Sequence, residues 1–559
     1  MSNGMDLPAQ VTVNTASHSS GSETLIVRVD QPVEGIDFNV HTLLRGTDGG
    51  LITPTSRKVE CRWFRSKSRR GCSFENCPNS NRIATIQNLQ NGLRYCSNQC
   101  FQSAFHNKNK KSSKSSSNSI LVTIDEKDRK FISVEPFQEE NGWEIISNEK
   151  TYVPSKEDVG YILRVECRAV TPDGRISAVA NSKETPIVVG LPKPAPPRSL
   201  FTNPDSAKLR HQMGMKFDSS KVRILSYNVL ADIYATKQLY PYCPMWALSW
   251  RVRRKILLRE ILAYDADIIC LQEVQQDHYT EFFYKELEGL GYQGLYKAKT
   301  RVAGKIDGCY TLYKKERFRL VESNTIEFNS VARAIARTNA FEQRNDALRR
   351  LLKDNVAQII VLERLDGDMS HTQGGNTLCL ANTHIFWDPE YSDVKLWQTH
   401  LLLQELERVV RNRKNIPLIF CGDFNSMPSE AVVELLKSEK VSETTKPNDP
   451  CNILPPVQSI THSLGLISAY EHVTGNEPRF TNYTGHYVGT LDYIWVSRDS
   501  VLPVSTLLIP NEKTLRGTDD TPLPNTRFPS DHLALCVEVE ISPTNAQAQT
   551  LSMNQYQMQ

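Results

Sequence analysis

No apolar run in this 559-residue chain approaches the roughly 20 residues that a bilayer-spanning helix needs. Its start, MSNGMDLPAQVTVNTASHSS, has neither a basic opening nor an apolar stretch, so no secretory signal is expected. By elimination the expected address is cytoplasm and nucleus, with no membrane partner. Cysteine, at 13 residues, is too thin for a disulfide scaffold in a chain this long. A repeated L-x-x-L-x-L motif is missing, which excludes a leucine-rich-repeat horseshoe. Charge of one sign is scarce as well: 66 Lys and Arg stand against 63 Asp and Glu. That balance hides an asymmetry, because basic residues crowd positions 57–114, where only Glu60 and Glu75 oppose them. Such a block suits either nucleic-acid contact or a solvated loop. The remainder has excess acid, which metal sites require.

What is present divides along the chain. So long a sequence exceeds one ordinary core, and two or three domains are expected. Residues 1–22 are polar and read as disordered. Strand-like alternation in 23–64 resumes in 119–190. Either piece alone is too short to bury a core, so together they are expected to form one discontinuous, immunoglobulin-like β-sandwich. Residues 65–107 form a Cys-rich insert, 108–118 a Lys/Ser loop, and the prolines of GLPKPAPPRSLFTNP mark 191–220 as linker. Residues 221–541 read as an α/β domain and 542–559 as a disordered tail. In the insert, Cys72-x4-Cys77 and Cys96-x3-Cys100-x5-His106 have the spacing of tetrahedral Zn²⁺ ligands. Cys72, Cys77, Cys96 and Cys100 are the expected set, with His106 as the alternative fourth ligand.

From Lys221 onward, apolar strands repeatedly end in polar groups: Asn228 in SYNVLAD, Glu273 in LQEV, His384 in ANTHIFWDP, Asp423 and Asn425 in CGDFNS, Asp492 in GTLDYIW, and Asp531–His532 in FPSDHLALC. One Asp or Asn after a strand is ordinarily a turn residue or cap. Six such clusters, rich in oxygen ligands and carrying two histidines, predict a common rim. Phosphodiester cleavage needs a hard cation, an activated water and a stabilised leaving oxygen. Mg²⁺ takes oxygen ligands and needs one or two carboxylates per ion. Glu273 is the expected anchor, Asp423 orients the water, and Asn425 donates to the phosphate. His384 and His532 donate to developing charge, and Asp492 fixes the tautomer of His532.

The blocks N-V-L, L-Q-E-V, N-T-H, G-D-F-N, D-Y-I and S-D-H, in that order across nearly all of 221–541, resemble the endonuclease/exonuclease/phosphatase superfamily. The resemblance implies a four-layer α/β sandwich and two Mg²⁺ ions. It places Asn228, Glu273, Asp423, Asn425, Asp531 and His532 in the metal and nucleophile centre, with His384 on the phosphate. SYNVLADIYA, YPYCPMWALSWRVRRKILLREI, THIFWDPEYSDVKLWQTHLLLQEL and FTNYTGHYVGTLDYIWVS further resemble the carbon catabolite repressor deadenylases.

That implies a poly(A)-specific 3′–5′ exoribonuclease releasing 5′-AMP from single-stranded RNA, as the catalytic subunit of a deadenylase complex in mRNA turnover. It also places the terminal adenine between Pro389 and Tyr487, where the family often has Phe in place of Tyr487. Lack of leucine-rich repeats resembles the plant-type homologues. YCSNQCFQSAFH resembles part of a MYND finger, which is expected to dock the partner deadenylase. Trp246, Trp250 and Arg251 either cover the catalytic rim or belong to the core. Two other readings stay open: a phosphodiesterase of the same fold acting on another nucleotide or RNA, and a non-catalytic scaffold. Intact Glu273, Asp423, Asn425 and His532 argue against the scaffold.

Overall fold

The computed structural model describes residues 23–46, 50–52, 57–67, 86–88, 94–95, 100, 121–123, 142–191 apart from 183, 195, 198–205, 221–336, 341–365, 376–516 and 520–542. The chain forms two compact units, Met1–Lys193 and Pro194–Gln559.

The first unit contains β1 (Thr24–Val29), β2 (Phe38–Arg45), β3 (Lys58–Ser66), β4 (Ile86–Asn88), β5 (Arg94–Tyr95), β6 (Leu121–Thr123), β7 (Trp143–Ser147), β8 (Thr151–Tyr152), β9 (Leu163–Val170) and β10 (Ile176–Asn181). They assemble as sheets β1-β2-β8, β10-β9-β3-β7 and β5-β4-β6. Every second residue of a strand faces the same side. Leu25, Val27, Phe38 and Val40 of the first sheet thus meet Cys61, Trp63, Leu163, Val165 and Cys167 of the second in one core. That core draws on chain from both sides of the Cys-rich insert. Of the expected zinc ligands, Cys72, Cys77, Cys96 and His106 lie outside the described residues, and Cys100 is buried. The expectations for 1–22, 108–118 and nearly all of 542–559 also lie outside the described residues.

The second unit opens with β11 (Leu200–Thr202) and β12 (Val222–Asn228). Helix α1 (Trp250–Ala263) and β13 (Ile268–Gln275) follow, then β14 (Tyr292–Ala298), β15 (Asp307–Lys314) and β16 (Phe318–Glu327). After helices α2 (Phe328–Ala336) and α3 (Phe341–Leu351) come β17 (Val356–Arg364), β18 (Thr377–His384), α4 (Ser392–Asn412) and β19 (Leu418–Asp423). The last strands are β20 (Leu466–Ser468), β21 (Asn482–Tyr483), β22 (Val488–Gly489), β23 (Asp492–Ser497), β24 (Val501–Leu507) and β25 (Leu535–Ile541).

One sheet runs β11-β24-β25-β12-β13-β15-β14 and the other β16-β17-β18-β19-β23-β20. Each has a single parallel pair, β12 with β13 and β18 with β19. Alternation explains the layering. Ile224, Ile268, Cys270, Leu380, Ile419, Cys421 and Ile494 fill the space between the sheets. Their neighbours Leu225, Ile269 and Leu271 face outward onto Leu257 and Ile261 of α1. Cys379, Ala381, Leu418 and Phe420 face outward onto Leu396, Leu403 and Leu406 of α4. Helix, sheet, sheet, helix is the four-layer order expected.

The linker expectation needs amendment. Leu200–Thr202 pairs antiparallel with Ser505–Leu507, and the Arg198 guanidinium donates to the Leu508 and Ala534 carbonyls at 3.0 and 2.7 Å. This piece is an edge of the seven-stranded sheet, whose open donors and acceptors it satisfies.

Candidate active site

The same inward columns that are apolar in mid-sheet turn polar at one rim. Along β12 the inward positions read Val222, Ile224, Ser226, Asn228. Along β18 they read Leu378, Leu380, Asn382, His384, and along β19 Ile419, Cys421, Asp423. In the antiparallel β23, Val496 and Ile494 lead back to Asp492. Register then sets these ends side by side: His384 pairs with Asp423, and Asp423 with Asp492.

Glu273 reaches this face by a local irregularity. The β13–β15 ladder slips between Leu271 and Val274, and Glu273 takes a left-handed φ of 58°. Such a backbone is uncommon for a residue with a side chain, and here it aims a carboxylate inward.

Asn228 ties the two sheets together. Its Nδ2 donates to Glu273 Oε1 at 3.1 Å and to Asp423 Oδ2 at 3.0 Å, while its Oδ1 accepts from Leu230 N. Glu273 Oε2 accepts from Ala231 N at 2.8 Å. Asp423 Oδ1 accepts from Asn425 N at 2.9 Å, and Asn425 Nδ2 donates to the Ile385 carbonyl. The Nε2 atoms of His384 and His532 lie 3.6 and 3.7 Å from Asp423 Oδ2. His532 Nδ1 is 2.8 Å from Asp492 Oδ2, which also accepts from Thr481 Oγ1. Asp531, next to His532 in the chain, accepts from Tyr240 and Asn482 on its Oδ2 at 2.9 and 3.2 Å.

Burial gives these groups unusual protonation. Desolvation, reinforced by the Asp307 and Asp531 charges, pushes the Glu273 carboxyl up to about 7. Burial and then the Asp492 charge raise Asp423. Burial, with the Lys299 cation, pushes His384 down to about 3 and keeps its ring neutral. For His532 burial also opposes charge, but the carboxylates of Asp492, Asp423 and Asp531 outweigh it and hold the ring protonated. The rim therefore pairs one neutral imidazole with one imidazolium.

Sequence reasoning missed several supports. Asp307, fully buried, pairs with Lys299 Nζ at 2.7 Å and also meets Arg301 and Tyr234. It starts an antiparallel strand, as Asp492 does, but lies in none of the blocks that carry the family resemblance. Beneath the rim, Gln272 Nε2 donates to Asn382 Oδ1 at 2.9 Å and Asn382 Nδ2 to Thr311 Oγ1 at 3.1 Å. Thr311 in turn donates to Gln358 at 2.7 Å. Alternating amides inside apolar strands were its available signal.

Pro389 and Tyr487 stand exposed on separate loops, Pro389 after the His384 strand and Tyr487 between β21 and β22. A Cβ on Gly489 would meet the Tyr487 ring and hydroxyl at 2.5–3.1 Å, so the glycine gives that ring its place. Burial, with the Glu430, Asp423 and Asp492 charges, pushes the Tyr487 phenol up to about 12. Trp250 belongs to the core alternative: its ring stacks on His278 at 3.7 Å and touches Phe282 and Phe283. Trp246 packs on the Leu230–Tyr240–Leu248 cluster.

Residues 225–532 match the Endonuclease/Exonuclease/phosphatase family. Carbon catabolite repressor protein 4 homolog 1 of Arabidopsis thaliana is 39% identical over 431 residues, 71% of each chain. The CCR4-Not complex 3′-5′-exoribonuclease subunit Ccr4 of Yarrowia lipolytica is 35% identical over 57% of this chain and 48% of its own. Among solved structures, the 2′,3′-cyclic phosphatase ANGEL2 aligns with 62% of this chain and 99% of its own, at a TM-score of 0.49 and 26% identity. No helix among the described residues is long and apolar enough to cross a membrane. The protein is a nuclease of the endonuclease/exonuclease/phosphatase family, and within that family the chain belongs with the carbon catabolite repressor protein 4 homologs.

Proposed function

We propose that this chain is a Mg²⁺-dependent 3′–5′ exoribonuclease that removes poly(A) from single-stranded RNA and releases 5′-AMP. The observation that carries the reading is the Asn228 amide, which holds the Glu273 and Asp423 carboxylates together across two sheets. The name of the Yarrowia relative, an exoribonuclease subunit, supports the substrate class.

The donor set fits the metal. Ligand atoms of Asp423, Asp492 and His532 lie within 4.8 Å of one another, and Glu273 adds a further carboxylate beside Asn228. Oxygen-dominated sets suit Mg²⁺ rather than soft metals. Glu273, Asn228, Asp423 and Asp531 would hold two ions, which would neutralise phosphoryl charge and make water more acidic.

The side chains supply the rest. Asp423 accepts a hydrogen bond from the attacking water and aligns it. Asn425 spends one amide hydrogen on Ile385 and keeps the other for a phosphate oxygen. His532, charged and clamped by Asp492, stabilises the negative charge that builds in the transition state. Neutral His384 donates to the phosphate without repelling the ions. Pro389 and Tyr487 flank the terminal adenine, a type of contact worth about 1–3 kcal/mol per base.

The test is a 5′-labelled RNA with a mixed-sequence body and an A-tail. In Mg²⁺ the ladder is expected to stop at the tail boundary, a U-tail to be spared, and EDTA to abolish cleavage. Degradation through the body, or cleavage of another nucleotide alone, would support the alternative phosphodiesterase reading instead.

The name of the Yarrowia relative, a subunit of the CCR4-Not complex, supports a role within a complex; the address we propose is cytoplasm and nucleus. We assign the docking of a partner deadenylase to the Cys-rich insert, with Cys72, Cys77, Cys96 and Cys100, or His106 as fourth ligand, around Zn²⁺. Cys96→Ala with Cys100→Ala should abolish partner capture in a pull-down, and undiminished capture refutes the assignment.

A further inference from the structure

Six of the seven tryptophans are buried or half-buried, but Trp387 is 66% exposed. Its loop is nonetheless fixed. Ile385 N donates to the Asp423 carbonyl at 2.9 Å, and Asn425 Nδ2 donates to the Ile385 carbonyl at 2.9 Å. Phe386 N donates to Gln398 Oε1 at 3.0 Å. On the other side, Asp388 Oδ1 accepts from Glu390 N at 2.9 Å. The indole therefore stands on a fixed backbone, two residues from a carbonyl held by a residue of the candidate active site.

A cation lies on the neighbouring ring. The Phe386 ring lies 6.2 Å from the Trp387 ring, and Lys353 Nζ sits 4.8 Å from the Phe386 centroid and 4.0 Å from that of Tyr391. Among the described residues Lys353 has no carboxylate partner. Neighbouring Arg350 differs, because Asp393 takes its guanidinium with both oxygens. An exposed aromatic face near an ammonium that no carboxylate neutralises is the combination that binds single-stranded nucleic acid, bases stacking on the ring and phosphate meeting the charge.

We propose that Trp387 and Lys353 form a second nucleotide subsite, which takes the base and phosphate adjacent to the 3′-terminal nucleotide. The inference rests on the exoribonuclease reading and deepens it: the enzyme would grip an internal nucleotide as well as the end, and so favour tails over single terminal adenylates.

The test uses the full chain and a phosphorothioate oligoadenylate of ten residues as a slowly cleaved ligand. Wild type should show quenching of tryptophan emission on binding. Trp387→Phe should lose most of that quenching while its Kd stays within about threefold of wild type, because the ring face is kept. Trp387→Ala should weaken Kd, and raise KM for A-tailed RNA, about tenfold, with a much smaller change in kcat. Lys353→Met should weaken binding and reduce the slope of log Kd against log salt by about 0.7, the loss of one single-strand phosphate contact. Trp387→Ala binding as tightly as wild type, or Trp387→Phe keeping the full quench, overturns the subsite. Wild type that binds with quenching but never cleaves RNA in Mg²⁺ would overturn the nuclease reading and leave the subsite standing. Both side chains are partly or largely exposed, so the variants should fold, and matching circular dichroism checks this.

Discussion

Glu273→Gln is expected to cut AMP release about 1,000-fold, a loss of ~4 kcal/mol of transition-state stabilisation. The substitution keeps the side-chain volume and permits the left-handed backbone to persist, so shape is not what changes. Charge is. Glu273 is the carboxylate that the β13 irregularity delivers into the rim, and an amide is a poor ligand for Mg²⁺. A smaller structural cost accompanies the loss. Glu273 accepts from two donors, Asn228 Nδ2 and Ala231 N, one on each oxygen. A glutamine has a single acceptor oxygen, so one of those donors loses its partner, at about 1–3 kcal/mol. A kinetic assay of AMP release alongside a thermal melt separates the two effects. Turnover equal to wild type in a folded variant would remove Glu273 from the metal assignment.

Arg253→Met should lower global stability by about 3–5 kcal/mol, a large share of what holds a domain folded. Arg253 is fully buried in α1 and donates through Nε to Leu248 O at 3.0 Å. Its Nη1 reaches the carbonyls of Val229, Leu230 and Pro529 at 3.2, 2.9 and 3.1 Å. Burial lowers its pKa, yet Asp232, Tyr240 and Asp531 oppose that effect. Methionine fills most of the space but leaves four carbonyls without this donor. Two of them follow Asn228, and a third directly precedes the Ser530–His532 segment, so activity should fall together with stability. Arg253→Lys should recover only part of the loss, because one ammonium cannot reproduce the planar fork. The shift of the urea midpoint measures this, and an unshifted midpoint would show that the cluster does not hold these loops.

Much of the site was legible because a strand has a period of two. Apolar runs closing on Asn228, Glu273, His384 and Asp423 predict a rim, and the paired ends of β18, β19 and β23 set His384, Asp423 and Asp492 side by side. Asp307 was not legible in the same way: it opens an antiparallel strand as Asp492 does, but it lies in none of the blocks that carry the family resemblance. Nor could alternation foresee how Glu273 turns inward, because the slip between Leu271 and Val274 breaks the period at that point. For Trp250 composition left rim and core equally open; the choice depended on His278 and Phe283 folding back from a later turn. The edge strand at Leu200–Thr202 was hidden because prolines just before it signal a linker, while its partner strand lies some 300 residues on.

The Asn228 amide has one further consequence. It belongs to the seven-stranded sheet, whereas Asp423 belongs to the six-stranded one. Reaction geometry is thus set by how far apart two slabs of protein rest, and that spacing is decided by Ile224, Leu380, Ile419 and their neighbours in the greasy layer below. A methyl group added or removed there works like a shim under a hinge: the chemistry would report it, although no changed atom lies anywhere near the RNA.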